Sequence, residues 1–143
     1  PEAGPLTVVT NSMNATIALR HTDSIDLIGL GGQYHRTYEA WIGHVCESAV
    51  ARLRADILFC SASAVSETGS FIQDGQVTRV KQAMMAASTR RILMLDASKF
   101  GRTALHAFAD LTAFDAVLTD AAIGDTAATA LRDRGVRLQL VTT

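Results

Sequence analysis

The alternation of short apolar runs with segments of helical period is the strongest constraint on the fold. Six apolar runs of strand length recur along the 143 residues, and segments of helical period lie between them. Because this alternation is typical of βαβ crossovers, it predicts an α/β fold with a mainly parallel sheet flanked by helices. The expected strands are Leu6 to Thr10, Ile25 to Leu30, Ile57 to Ala62, Ile92 to Leu95, Ala116 to Leu118 and Val136 to Val141.

Four helices are expected between these strands. The last has the clearest boundaries, because Asp125 stands in the N-cap position and Gly135 follows its end. The segment from Tyr34 to Tyr38 fits either a short edge strand or a loop. The expected helices are Asn14 to Arg20, Glu39 to Arg54, Gln76 to Ser88 and Thr126 to Arg134.

Composition limits the partners of the chain. Its length fits a single domain, and the formal net charge of −1 leaves no broad cationic surface for a phosphate backbone, so we expect poor DNA binding. Cys46 and Cys60 are expected to be free thiols in the cytoplasm, and neither they nor the four histidines have metal-ligand spacing. No apolar run approaches the length that spans a bilayer, so no membrane partner is expected.

A carboxylate and a cation follow the apolar run that ends at Leu95. Polar groups at the carboxyl ends of parallel strands lie where open α/β sheets bind ligands, so Asp96 and Lys99 are candidate ligand contacts. The alternative is that Asp96 caps the following turn and that Lys99 is solvated. Spacing alone does not separate the two interpretations.

Lys81 lies on or beside the buried face of its predicted helix. It follows Val77 by four residues and precedes Met84 by three, and both of these apolar residues belong to the core-facing stripe. A lysine there either extends along the sheet to water or meets an anion in a pocket.

Small polar residues and glycines follow the first two strands. Asn11 and Ser12 stand at a strand-to-helix junction, where they either cap free backbone N–H groups or contact a ligand. Gly31 and Gly32 either let the backbone approach a ligand or adopt positive φ angles. Their spacing does not match a dinucleotide-binding fingerprint.

Serines follow the strand that ends near Cys60. The hydroxyls of Ser61 and Ser63 could hydrogen-bond a polyol, but an ordinary polar turn explains them equally well.

Four short blocks together resemble the carboxyl-terminal effector-sensing domain of DeoR-family transcriptional regulators. They are Thr-Val-Val-Thr-Asn-Ser (7–12), Leu-Ile-Gly-Leu-Gly-Gly (27–32), Lys-Gln-Ala-Met (81–84) and Asp-Ala-Ser-Lys-Phe-Gly (96–101), and the similarity runs from about Leu6 to Val141. The resemblance implies a fold shared with ribose-5-phosphate isomerase and glucosamine-6-phosphate deaminase. Ala64 departs from the family pattern, which has glycine there.

The resemblance implies a non-catalytic sensor for a phosphorylated sugar or related metabolite, without a cofactor or metal. Lys81 and Lys99 would then meet the phosphate, and Asp96 and hydroxyl or amide groups would meet the sugar. Family members act as homo-oligomers and bind DNA through an amino-terminal winged helix-turn-helix. The full set of expected ligand contacts is Asn11, Ser12, Gly31, Gly32, Ser61, Ser63, Lys81, Asp96 and Lys99.

Two further expectations concern the limits of the chain and its activity. Residues 1–143 are expected to form one effector-binding domain, with a domain boundary within residues 1–5 and with the helix-turn-helix and an Asp-x-Gly-Thr/Ser-Thr loop of the family missing. The alternative function is a sugar-phosphate isomerase or deaminase, in which Asp96 or Asp120 would be the base.

Overall fold

The computed structural model describes residues 4–142, and the chain packs as two compact units that meet in sequence between Leu53 and Arg54. The first three residues of the expected boundary segment, 1–3, lie outside the described residues. No helix within residues 4–142 has the length and apolarity needed to cross a membrane.

The first unit contains one parallel strand pair and one antiparallel hairpin. Strands β1 (Leu6–Thr10) and β2 (Ile25–Gly29) pair in parallel, joined through helix α1 (Met13–Leu19). Strands β3 (Gln33–His35) and β4 (Ala40–Ile42) form the hairpin, and helix α2 (His44–Ala51) follows it.

The second unit is built on a four-stranded parallel sheet. Its strands are β5 (Ala55–Cys60), β8 (Ser88–Met94), β10 (Ala116–Asp120) and β11 (Leu138–Val141), in the spatial order β11-β10-β8-β5. Helices α3 (Gly75–Ala86) and α4 (Asp125–Asp133) provide crossovers between strands. The expected α/β architecture with parallel strands and flanking helices is confirmed.

A three-stranded antiparallel sheet completes the second unit. Strand β7 (Gly69–Ile72) pairs with both β6 (Ala64–Ser66) and β9 (His106–Asp110). The alternation of apolar runs did not predict these strands, because they are short and contain polar residues. Ser61 and Ser63 therefore lead into a hairpin.

The core of the second unit lies between the parallel sheet and its helices. Leu93 and Val117, which are paired on neighbouring strands, are fully buried, as is Val80 of α3. Phe108 and Phe114 pack edge to face with ring centroids 6.1 Å apart. Burial of these apolar side chains is the main source of stability for this unit.

Strand β5 forms an open edge of the parallel sheet. It pairs only with β8, and the side chains of Ile57 and Phe59 on one face are 42% and 60% exposed. Edge strands with exposed apolar side chains are prone to pair with other chains.

Two helix boundaries differ from the expectation. The helix expected from Glu39 begins at His44, because residues 40–42 form β4 and Gly43, at φ +88°, turns the chain into α2. The N-cap of α4 is Gly124 rather than Asp125, which is the first helical residue. A carboxylate in the first turn still interacts favourably with the helix dipole.

The hairpin resolves the alternatives for the segment from Tyr34 to Tyr38. Residues 33–35 form β3, and a turn follows. The ring of Tyr34 lies 5.0 Å from that of Trp41 across the hairpin, and the rings of His35 and Tyr38 meet edge to face. The segment is therefore a short strand followed by an aromatic turn.

Candidate functional site

The second unit brings several of the expected ligand contacts to one rim. Strands β5, β8 and β10 are parallel neighbours, so the segments that follow them emerge on the same side of the sheet, about 4.8 Å apart per strand. Ser61 follows β5, Asp96 follows β8 by two residues, and Asp120 is the last residue of β10. Such a rim is the usual position of a ligand site in a parallel sheet.

Lys81 reaches this rim from helix α3. Its Nζ donates to the backbone carbonyl of Ser61 at 2.6 Å and lies 3.5 Å from the Ser61 hydroxyl oxygen. The lysine is half-buried, whereas Ser61 is exposed. The ammonium group is therefore held at the end of β5 and does not extend freely into water.

The surroundings of Lys81 disfavour its charge. Burial lowers the pKa of Lys81 below its usual range, and the nearby thiol of Cys60 opposes this weakly. Burial likewise raises the pKa of Cys60 to about 11, so this thiol is protonated and unreactive at neutral pH. Within residues 4–142, no carboxylate forms an ion pair with Lys81.

Asp96 and Lys99 lie in one short turn. Residues 97–99 form a single 3-10 turn, and the Asp96 carboxylate accepts hydrogen bonds from the backbone N–H and the hydroxyl of Ser98. These hydrogen bonds, with a smaller contribution from the charge of Lys99, lower the pKa of Asp96. The capping role that the sequence allowed for Asp96 is therefore present, while its outer surface and the side chain of Lys99 face the rim's solvent side at least in part.

Asp120 connects the turns that follow β8 and β10. One carboxylate oxygen accepts from the N–H of Ala97 at 2.9 Å, and the other accepts from the N–H of Ala122 at 3.0 Å. Asp120 was considered from sequence only as a catalytic base, and its connecting role was missed. The two turns are about 23 residues apart in the chain, and no local pattern joins them.

Ser63 is positioned by its backbone. Its N–H donates to the carbonyl of Phe71 at 2.9 Å, which fixes the loop between β5 and β6 against β7. Ala64 is buried at the start of β6. No hydrogen bond among the described residues joins Lys81 or Ser61 to Asp96 or Lys99, so these form two separate clusters.

The first unit holds Asn11 and Ser12 in structural contacts. The Asn11 side chain donates to the carbonyl of Trp41 at 2.9 Å, which anchors β4. The Ser12 hydroxyl caps α1 by accepting from the N–H of Ala15 at 3.2 Å. The capping interpretation thus describes Ser12 well, and ligand contact by either residue stays a prediction.

Gly31 and Gly32 differ in their surroundings. Gly32 has φ +131°, and a Cβ there would lie 2.6 Å from the carbonyl oxygen of Ile42 and 3.2 Å from the backbone nitrogen of Cys46. A Cβ on Gly31 would meet nothing within 4 Å. Gly32 is therefore required for the close approach of its loop to β4 and α2, whereas Gly31 is not constrained in this way.

A separate apolar cleft of about 260 Å³ occurs in the second unit, and the sequence analysis did not find it. An exposed ion pair between Glu67 and Arg134, at 3.8 Å, lies at its edge. Glu67 also has an unusual positive φ of 54°. The cleft is lined by Val65, Glu67, Phe100, Gly101, Ala127, Ala130, Leu131 and Arg134.

Comparison with known proteins defines the class to which this rim belongs. Residues 1–121 match the family model described as the DeoR C terminal sensor domain. The chain is 34% identical over 122 residues to an L-fucose operon activator of Haemophilus influenzae, which covers 85% of this chain and 49% of the relative. It is 29% identical to the glycerol-3-phosphate regulon repressor of Escherichia coli K12, over 94% of this chain and 54% of the relative.

A third relative is a putative aga operon transcriptional repressor of Escherichia coli O157:H7, 29% identical over 93% of this chain and 50% of the relative. The chain is thus an effector-sensing module and spans about half the length of these relatives. It belongs to the DeoR family of transcriptional regulators. Because the matched relatives are regulators with a sensor domain, the chain is not an enzyme, and the isomerase or deaminase alternative is wrong.

Proposed function

We propose that this domain senses a phosphorylated sugar or a related small metabolite at the rim formed by β5, β8 and β10. The observation that carries the proposal is Lys81, a half-buried cation without a carboxylate partner among the described residues, held at the carboxyl end of β5. An anionic ligand would compensate the unfavourable burial of this charge. Lys99, on the turn after the neighbouring strand, would supply a second positive charge.

Polar groups of the same rim would recognise the sugar. The Ser61 and Ser63 hydroxyls and the free lone pairs of the Asp96 carboxylate can accept or donate hydrogen bonds to a polyol. The names of two relatives, a fucose operon activator and a glycerol-3-phosphate regulon repressor, support a sugar-derived or polyol-phosphate ligand. Contacts by Asn11, Ser12, Gly31 and Gly32 of the first unit remain part of the proposal.

The ligand would act on the whole regulator by shifting a conformational equilibrium. We propose that the full-length protein is a cytoplasmic homo-oligomer in which an amino-terminal winged helix-turn-helix, outside these residues, binds the operator. A ligand can change operator binding only if its affinity differs between the two conformations of the regulator.

Calorimetric titration with sugar phosphates tests this function. We expect ribose-5-phosphate, fructose-6-phosphate or glycerol-3-phosphate to bind saturably, and Lys81→Ala to weaken binding about 10- to 100-fold, since a hydrogen bond to a charged group contributes about 1.5–3 kcal/mol. Arg90→Ala is the matched control, because it removes an exposed cation from the same sheet near the opposite end of β8. Equal weakening by both substitutions would indicate a general charge effect and contradict the site.

A further inference from the structure

The two lysines of the chain stand in different electrostatic environments. Lys99 lies in the turn that begins at Asp96, and its charge acts on that carboxylate. Lys81 has no acidic partner among the described residues; its Nζ contacts only the carbonyl and hydroxyl of Ser61. The chain contains no third lysine. One amine is therefore stabilised as a cation, and the other is not.

From this contrast we infer that Lys81 forms a reversible imine with the open-chain carbonyl group of its effector, while Lys99 binds the phosphate. This inference rests on the proposed function and narrows its ligand class to aldose or ketose phosphates. A lysine becomes a nucleophile when it is desolvated without a compensating carboxylate. Burial lowers the pKa of Lys81, which increases its neutral fraction in the way that this chemistry requires.

The reaction needs only the amine and the carbonyl compound. The lone pair of Lys81 Nζ attacks the carbonyl carbon, a C–N bond forms, and the carbonyl oxygen takes up the proton that the nitrogen loses. The resulting hydroxyl group then takes a second proton and leaves as water, which gives the imine. The Ser61 hydroxyl, 3.5 Å from Nζ, is close enough to pass protons through small movements or one water molecule. One water molecule is released in all, and no oxidant or reductant takes part.

Trapping by reduction tests the imine. The protein is incubated with ribose-5-phosphate or fructose-6-phosphate and sodium cyanoborohydride, digested, and mapped by mass spectrometry. We expect a secondary-amine adduct several-fold more abundant on Lys81 than on Lys99, suppressed by excess inorganic phosphate. Because the wild-type protein contains both lysines, Lys99 is an internal control for non-specific reaction at exposed amines.

Two comparisons separate this inference from the proposed function. Lys81→Arg retains the positive charge but cannot form the imine, so it should bind ribose-5-phosphate more weakly while binding ribitol-5-phosphate, which has no carbonyl group, about as well as wild type. Saturable binding of the sugar phosphates without an adduct on Lys81, or with equal adducts on both lysines, would overturn the imine and leave the sensor function intact. Absence of binding by every phosphate compound would overturn the sensor function itself.

Discussion

Gly32 shows how a single residue fixes the geometry of the first unit. It has both a positive φ and a close backbone neighbour, whereas the adjacent Gly31 has neither. The sequence had offered two reasons for this glycine pair, a ligand approach or a positive φ angle. The second is correct for Gly32. The position of a glycine after a strand suggested this, but only the fold could show which of the two is constrained.

Substitution of the two glycines should therefore have unequal effects. Gly32→Ala is expected to lower the free energy of unfolding by about 2–4 kcal/mol, because it combines backbone strain with a clash against the Ile42 carbonyl. Gly31→Ala should change it by about 0.5 kcal/mol or less, as is usual for open surface positions. Urea denaturation measures both. Similar losses in the two variants would show that the close approach of Gly32 is not limiting.

Lys81 should lower stability as the counterpart of its proposed role. Its folded pKa lies below the ordinary value of 10.5, so the folded state holds its proton less tightly than the unfolded chain does. Stability therefore rises with pH between these two pKa values, and at neutral pH the charged lysine opposes folding.

Lys81→Met should accordingly leave the protein as stable as wild type at pH 7, or more stable by up to about 1 kcal/mol. This difference should shrink as the pH rises toward 10.5, the ordinary lysine value. Thermal or urea unfolding at several pH values measures it. A clear loss of stability at pH 7 would mean that the hydrogen bond to Ser61 outweighs the cost of burial.

At the level of elements, helix α3 connects the start of a crossover to the rim. Its N-cap is Asp74, whose carboxylate accepts from the N–H groups of Gln76 and Val77 at 2.8 and 3.0 Å. Helix α4 has no such side-chain cap, since Gly124 stands in that position. The sequence analysis had expected the well-marked cap on α4 and had not identified the one on α3.

The two helices give a matched pair of substitutions. Asp74→Ala should cost about 1 kcal/mol of unfolding free energy, because it removes an N-cap. Asp125→Ala should cost only about 0.3–1 kcal/mol, since it removes a charge from the first turn and no cap hydrogen bond. Chemical denaturation compares them. A larger loss at Asp125 would contradict the assignment of the caps.

The success of the sequence analysis varied with the length of each element. Parallel strands such as β1 and β8 are long, apolar runs, and both were expected within a few residues of their bounds. Strands β6 and β7 were not, because hairpin strands of three or four residues carry no period that distinguishes them from turns. At the site, the helical register placed Lys81 beside the sheet, but its contact with Ser61 depends on tertiary packing.

For the whole molecule, charge separates sensing from DNA binding. The formal net charge is −1, and binding to a duplex depends on neutralising phosphates with clustered cations. The domain therefore has to act on an operator through another part of the regulator.

We expect residues 1–143 alone to leave a DNA duplex unshifted in gel mobility assays at about 0.15 M salt, the physiological range. The full-length regulator with its own operator is the positive control. A shift that weakens steeply with added salt would show that this domain itself presents a DNA-binding surface.

The open edge at β5 has a practical consequence for anyone who purifies this domain. Phe59 and Ile57 present greasy side chains along a strand with unused backbone groups, so concentrated stocks are at risk of slow precipitation through sheet stacking. A lysine in place of Phe59 is the first substitution to try for longer shelf life, since a charged side chain on an edge strand discourages this kind of aggregation.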